Sequence, residues 1–67
     1  MKWTIKFETE HFPRVRYFQG WAYRPAHLIE QAWTFPTKEE AETEMEIVSR
    51  YPMEFAGEAI LSVVPAE

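Results

Sequence analysis

The sequence predicts an α+β domain in which one helix packs on one face of an antiparallel sheet of three to four strands, in the order β-β-β-α-β. Three observations lead there. Polar and apolar residues alternate strictly from Lys2 to Glu8, the period of a half-buried strand. Thr37, followed three residues later by Glu40, makes a capping box ahead of apolar residues at helical spacing. Five prolines, Pro13, Pro25, Pro36, Pro52 and Pro65, divide the chain into element-sized pieces, because proline lacks the amide that helices and central strands need.

In the first strand, Trp3, Ile5 and Phe7 share one face, and Lys2, Thr4, Lys6 and Glu8 share the other. A hairpin around His11, Phe12 and Pro13 leads into a second strand from Arg14 to Tyr23, rich in aromatic and β-branched residues. Val15, Tyr17, Gln19, Trp21 and Tyr23 lie on one of its faces, and Arg14, Arg16, Phe18, Gly20 and Ala22 on the other. Gly20 inside this run indicates a bulge or a close backbone approach. From Arg24 the chain is expected to loop through about His27 and form a third strand from roughly Ile29 to Phe35. Trp33, Thr34 and Phe35 are strand-like and run directly into Pro36. A short helix opening at Pro25, with Ala26, Leu28, Ile29, Ala32 and Trp33 on one side, is the alternative.

The helix is predicted to start at Lys38, with Thr37 as N-cap. Ala41, Met45 and Val48 form its apolar stripe, with Ile47 and Tyr51 alongside. Pro52 ends it near Arg50 or Tyr51, and Arg50 suits the negative end of the helix dipole. The stretch from Glu54 to Val64 reads as the last strand. Phe55, Ala59, Leu61 and Val63 fall on one phase, with Ile60 and Val64 on the other, the pattern of a central rather than an edge strand.

A chain of 67 residues forms a single domain, expected to span 1–67, and at that size folding buries only about 60% of the surface the unfolded chain exposes. Cysteine is absent, which removes disulfides, thiolate metal sites and thiol nucleophiles, and suits a reducing cytoplasm. The 16% aromatic content is then the expected source of core stability. Charges interrupt the first residues too often for a signal peptide, and no apolar run is long enough to span a membrane. The net charge of −4, in which every acid is Glu, disfavours nucleic acid as the main partner, and 46% hydrophobic residues exclude disorder.

No catalytic or cofactor signature appears. His11 beside Glu10 and His27 near Glu30 lack the ligand spacing of a metal site. Ser49 and Ser62 stand in no nucleophile elbow, and the two glycines, Gly20 and Gly57, are too few for a phosphate-binding loop. No enzyme activity, metal or cofactor is therefore expected.

The feature that points to a partner is a run of five glutamates within eight residues: Glu39, Glu40, Glu42, Glu44 and Glu46. Like charges four apart, as in Glu40 with Glu44 and Glu42 with Glu46, each cost a helix about 0.2–0.5 kcal/mol. The dipole accounts for Glu39 and Glu40 in the first turn, but not for the later three. Glu39, Glu42 and Glu46 share one side of the helix, with Glu40 and Glu44 on an adjacent side. Such a carboxylate ridge fits a basic surface on a larger protein, and Glu39, Glu42, Glu44 and Glu46 are the candidate contacts. A solvated helix face is the simpler account of the same run. The alternative site is on the second strand, where Arg14, Arg16, Trp21 and Arg24 interleave arginine with aromatic rings, as a single-stranded nucleic-acid platform requires. Those rings are more simply core. A homodimer that hides spare sheet aromatics is a third reading.

The run Phe35-Pro36-Thr37-Lys38-Glu39-Glu40-Ala41, entered from an aromatic strand, resembles many small phage-encoded proteins with an F-x-T-x-E-E-A helix start. Some of these are anti-CRISPR or other host-defence inhibitors. The likeness covers Tyr17 to about Val48. It implies a protein in the cytoplasm of an infected bacterium that occludes a functional surface of a larger host complex and has no active site of its own. The group shares no fixed functional residues, so the resemblance assigns no role to any position.

Overall fold

The alternating segment becomes β1, Trp3–Thr9, the middle strand of a three-stranded antiparallel sheet. In this computed structural model, residues 1–9, 15–21, 25–50 and 59–66 are described. β2 is Val15–Tyr17, α1 is Lys38–Arg50 and β3 is Ala59–Pro65, and the sheet order is β2-β1-β3. The architecture is therefore α+β, with one helix packed against an antiparallel sheet.

β1 pairs with β2 in the register Lys6↔Tyr17, Phe7↔Arg16 and Glu8↔Val15. It pairs with β3 along its whole length, from Trp3↔Pro65 to Thr9↔Ala59. Directly opposed residues in an antiparallel pair share a face. Ile5 with Val63 and Phe7 with Leu61 therefore make one apolar face, and α1 covers it with Ala41, Met45 and Val48. Phe18 and Phe35 complete this core, their rings stacked with centroids 6.3 Å apart. Trp3 borders it, with the Lys38 ammonium 5.8 Å from its ring centroid.

The helix starts where its local signals place it, and among the described residues it runs to Arg50. The Glu40 amide donates to the Thr37 hydroxyl at 3.2 Å, the cap bond that satisfies one orphan N–H of the first turn. Ala41 and Val48 are buried, but Ile47, read as lying beside the stripe, is exposed because it sits a quarter turn away from it. Tyr51 lies outside the described residues, as do the predicted hairpin residues His11, Phe12 and Pro13.

Four expectations change. The second strand, expected from Arg14 to Tyr23, covers only Val15–Tyr17 among the described residues. Pairing with β1 goes one step further, Phe18 N–H donating to Ile5 O at 2.9 Å, before Gly20 turns the chain away at φ +97. That positive φ lies outside the extended region of regular strand, and glycine adopts it without the strain a side chain would bring.

The expected third strand from Ile29 to Phe35 is a 3-10 turn, Ile29–Gln31, followed by a single bridge between Phe35 and Trp3. The alternative helix opening at Pro25 does not form either, since Ala26 bridges to Tyr17 and Leu28 is extended. β2 and Phe18 already occupy this edge of β1 from Ile5 to Glu8, leaving only Trp3 for Phe35 to pair with, and Pro36 stops the ladder. The strand order among the described residues is accordingly β-β-α-β.

Thr4, assigned by alternation to the outer face, is fully buried, and its hydroxyl donates to Trp33 O at 2.8 Å. The chain from Trp33 to Phe35 alongside β1 supplies that acceptor, so burial leaves no unsatisfied group. Finally, among the described residues β3 is an edge strand, not a central one. Its second apolar phase is partly solvated, with Ile60 63% exposed.

Candidate functional site

The acidic helix and the chain around Gly20 meet along one side of α1. The Trp21 indole Nε1–H donates to Glu44 Oε1 at 2.7 Å, tying the turn after β2 to the middle of the helix. Trp21 also packs edge-on against Phe18, centroids 5.7 Å apart. Trp33 is held differently. Its backbone N–H donates to Phe18 O at 2.7 Å and its carbonyl accepts from Thr4, while its side chain remains 56% exposed. A Cβ on Gly20 would lie 3.3 Å from Trp33 Cε3, so the ring packs closely over the main chain at Gly20.

These contacts enclose a hollow of about 140 Å³ lined by Phe18, Gly20, Trp21, Trp33, Phe35 and Glu44. Next to it, sharing Phe35 and Glu44, lies a shallower and wider one of about 450 Å³, lined also by Glu39, Glu40 and Thr43. The result is a continuous surface, aromatic on one side and anionic on the other.

The five carboxylates have different surroundings. Glu44 is half-buried and committed to Trp21. Glu46 pairs with Arg50 one turn on, at 2.6 Å, an exposed i,i+4 pair of modest energy. Two of the three glutamates left unexplained by the helix dipole thus have structural partners. Glu39, Glu40 and Glu42 are exposed, and no described residue forms an ion pair with any of them. The side chains of Glu39 and Glu40 line the wider hollow, and Glu42 lies outside both.

The alternative arginine platform is only partly visible, since Arg14 and Arg24 lie outside the described residues. Arg16 is half-buried, opposite Phe7 on the core face, and its Nη1 donates to Val15 O at 2.9 Å. Trp21 is half-exposed but hydrogen-bonded to a carboxylate, and a strand stacking on it would bring phosphates towards Glu40 and Glu44. Sequence reasoning did not place Trp33, Gly20 or Phe35 in a site. The only trace was Gly20, whose indicated close approach is to the Trp33 ring.

Among the described residues, no group of three or more His, Asp or Glu side chains is placed to hold a metal ion, and no helix is long and apolar enough to cross a membrane. No protein-family model matches this chain, and neither the curated proteins nor the solved structures contain one significantly similar to it.

Proposed function

We propose that this chain is a small non-enzymatic protein-binding module that covers a basic surface on a larger protein. The supporting observation is that Glu39, Glu40 and Glu42 are exposed with no ion-pair partner among the described residues, two of them, Glu39 and Glu40, next to an aromatic hollow. Exposed carboxylates steer a basic partner into place and set specificity. Partly exposed tryptophans supply the apolar contact that holds it. An inhibitor that occludes a bacterial defence complex from within the host cytoplasm is the form of this reading that the F-x-T-x-E-E-A resemblance favours. The test is charge reversal. The Glu39→Lys, Glu42→Lys, Glu46→Lys variant should keep the wild-type circular dichroism spectrum and lose the basic proteins that the wild type captures from bacterial lysate. Retention of the same proteins by the variant rejects the reading.

One observation favours a second reading, a homodimer. Among the described residues β3 is an edge strand, with no charged residue from Ala59 to Pro65 and with Ile60 exposed, and natural edge strands usually carry a charge that blocks self-pairing. Light scattering at two concentrations decides it, a constant monomer mass excluding the dimer.

A further inference from the structure

We propose that the hollow between Trp21 and Trp33 is a socket for a guanidinium group, the side chain of an arginine on the partner. The inference rests on the protein-binding reading above and names the chemistry its partner must present.

Three features of the hollow select this occupant. Its walls are aromatic: Trp21 and Trp33 are each about half exposed, with Phe18 and Phe35 behind them. Indole faces attract cations, and a planar guanidinium stacks on them while keeping its edge available for hydrogen bonds. The second feature is Glu44, the one ionisable side chain in the lining. Its Oε1 accepts from the Trp21 indole, which holds the carboxylate at the wall. A carboxylate offers about four lone-pair sites, so Glu44 can accept from a guanidinium N–H without giving up that bond. The third feature is size. About 140 Å³ accommodates the end of one side chain, not a peptide segment.

Other occupants fit less well. A neutral apolar group would strip water from Glu44 and return no compensating charge. A nucleotide would place phosphate near Glu39 and Glu40 in the adjoining hollow. An ammonium carries the right charge but is compact and strongly hydrated, and it cannot stack.

The socket is also preformed. The main chain of residue 33 is held by Phe18 and Thr4, the Trp21 ring is held by its bond to Glu44, and Gly20 supplies a floor without a side chain. A ring already held in place, as that of Trp21 is, loses little conformational entropy on binding, the usual condition of an interface hot spot.

The test uses the intact chain and a small probe, so it needs no identified partner. N-acetyl-arginine amide is titrated against the ¹⁵N-labelled protein, with N-acetyl-citrulline amide as its uncharged isostere, and the indole N–H signals are followed. Arginine amide should shift the Trp21 and Trp33 signals saturably while Trp3 stays still, binding at least about five-fold more tightly than citrulline amide. Glu44→Gln keeps an oxygen acceptor for the Trp21 indole but removes the charge, and should erase that preference with the amide spectrum otherwise preserved. Trp33→Ala, which leaves the backbone bonds of residue 33 in place, should weaken arginine binding as well. Equal binding of the two amides, wild-type affinity in Glu44→Gln, or no indole shift up to the solubility of the probe each overturns the socket. The charge-reversal test alters Glu39, Glu42 and Glu46, none of which lines this hollow, so either idea can fail while the other stands.

Discussion

Replacing Gly20 by alanine tests whether backbone conformation or side-chain crowding makes glycine necessary beneath Trp33. At φ +97 an L-residue places its Cβ against its own main chain, at a cost of about 1–2 kcal/mol. The new methyl also meets Trp33 Cε3 at 3.3 Å, tighter than ordinary contact, but that ring is 56% exposed and can tilt. The crowding adds only about 0.5 kcal/mol, the cost of a modest departure from a rotamer minimum. Gly20→Ala should therefore lose roughly 1.5–2.5 kcal/mol, and at this chain length each kcal/mol lowers the melting temperature by about 4–8 °C. Urea unfolding followed by circular dichroism gives the loss, and the same substitution in a Trp33→Ala background divides it. Most of the cost should persist there, because the strain belongs to residue 20 and not to the ring. A loss below about 0.5 kcal/mol would show that the chain relaxes out of the left-handed region, and a cost that vanishes without Trp33 would make crowding the cause; either result refutes the argument.

Three further substitutions probe the other contacts, each read by the same unfolding measurement. Thr37→Ala removes the oxygen that accepts from the Glu40 amide and should cost about 1 kcal/mol, with Thr37→Ser close to wild type. Thr4→Val keeps the shape of a fully buried side chain but leaves the Trp33 carbonyl without its donor; a loss of about 1–3 kcal/mol is expected, and a neutral result would mean that water replaces the hydroxyl. Glu46→Gln breaks the exposed pair with Arg50 and should change stability by no more than about 0.5 kcal/mol, an effect that disappears in high salt.

How far each element was legible depends on how local its determinants are. Helix α1 starts at Lys38 as its flanking residues indicate, since the cap bond from Glu40 to Thr37 spans only three residues. The inward face of β1 was legible because Ile5 and Phe7 alternate with polar neighbours. Thr4 broke the same alternation because its acceptor lies twenty-nine residues away. The stretch from Ile29 to Phe35 has strand-forming residues, yet most of the neighbouring edge was already occupied. Propensity does not show whether a partner edge is vacant.

The candidate site divides in the same way. The presence, number and helical spacing of the five glutamates were legible, and so was the split between early-turn acids and those beyond reach of the dipole. Their roles were not. Glu46 meets Arg50 within one turn, an i,i+4 spacing written in the sequence, whereas Glu44 meets Trp21 across twenty-three residues.

The sequence by itself determined the class of this protein: a sheet with an inward apolar face, a capped acidic helix beside it, and an excess of carboxylate. Those properties follow from periodicity, capping and charge, which act within a turn of helix or a few residues of strand. The tertiary structure decided where β2 ends, what covers Thr4, and which glutamates remain exposed. It also brought Gly20, Trp21, Trp33 and Glu44 around one hollow. Each of those outcomes depends on contacts between segments far apart in the chain, whose geometry is set only when the whole core closes.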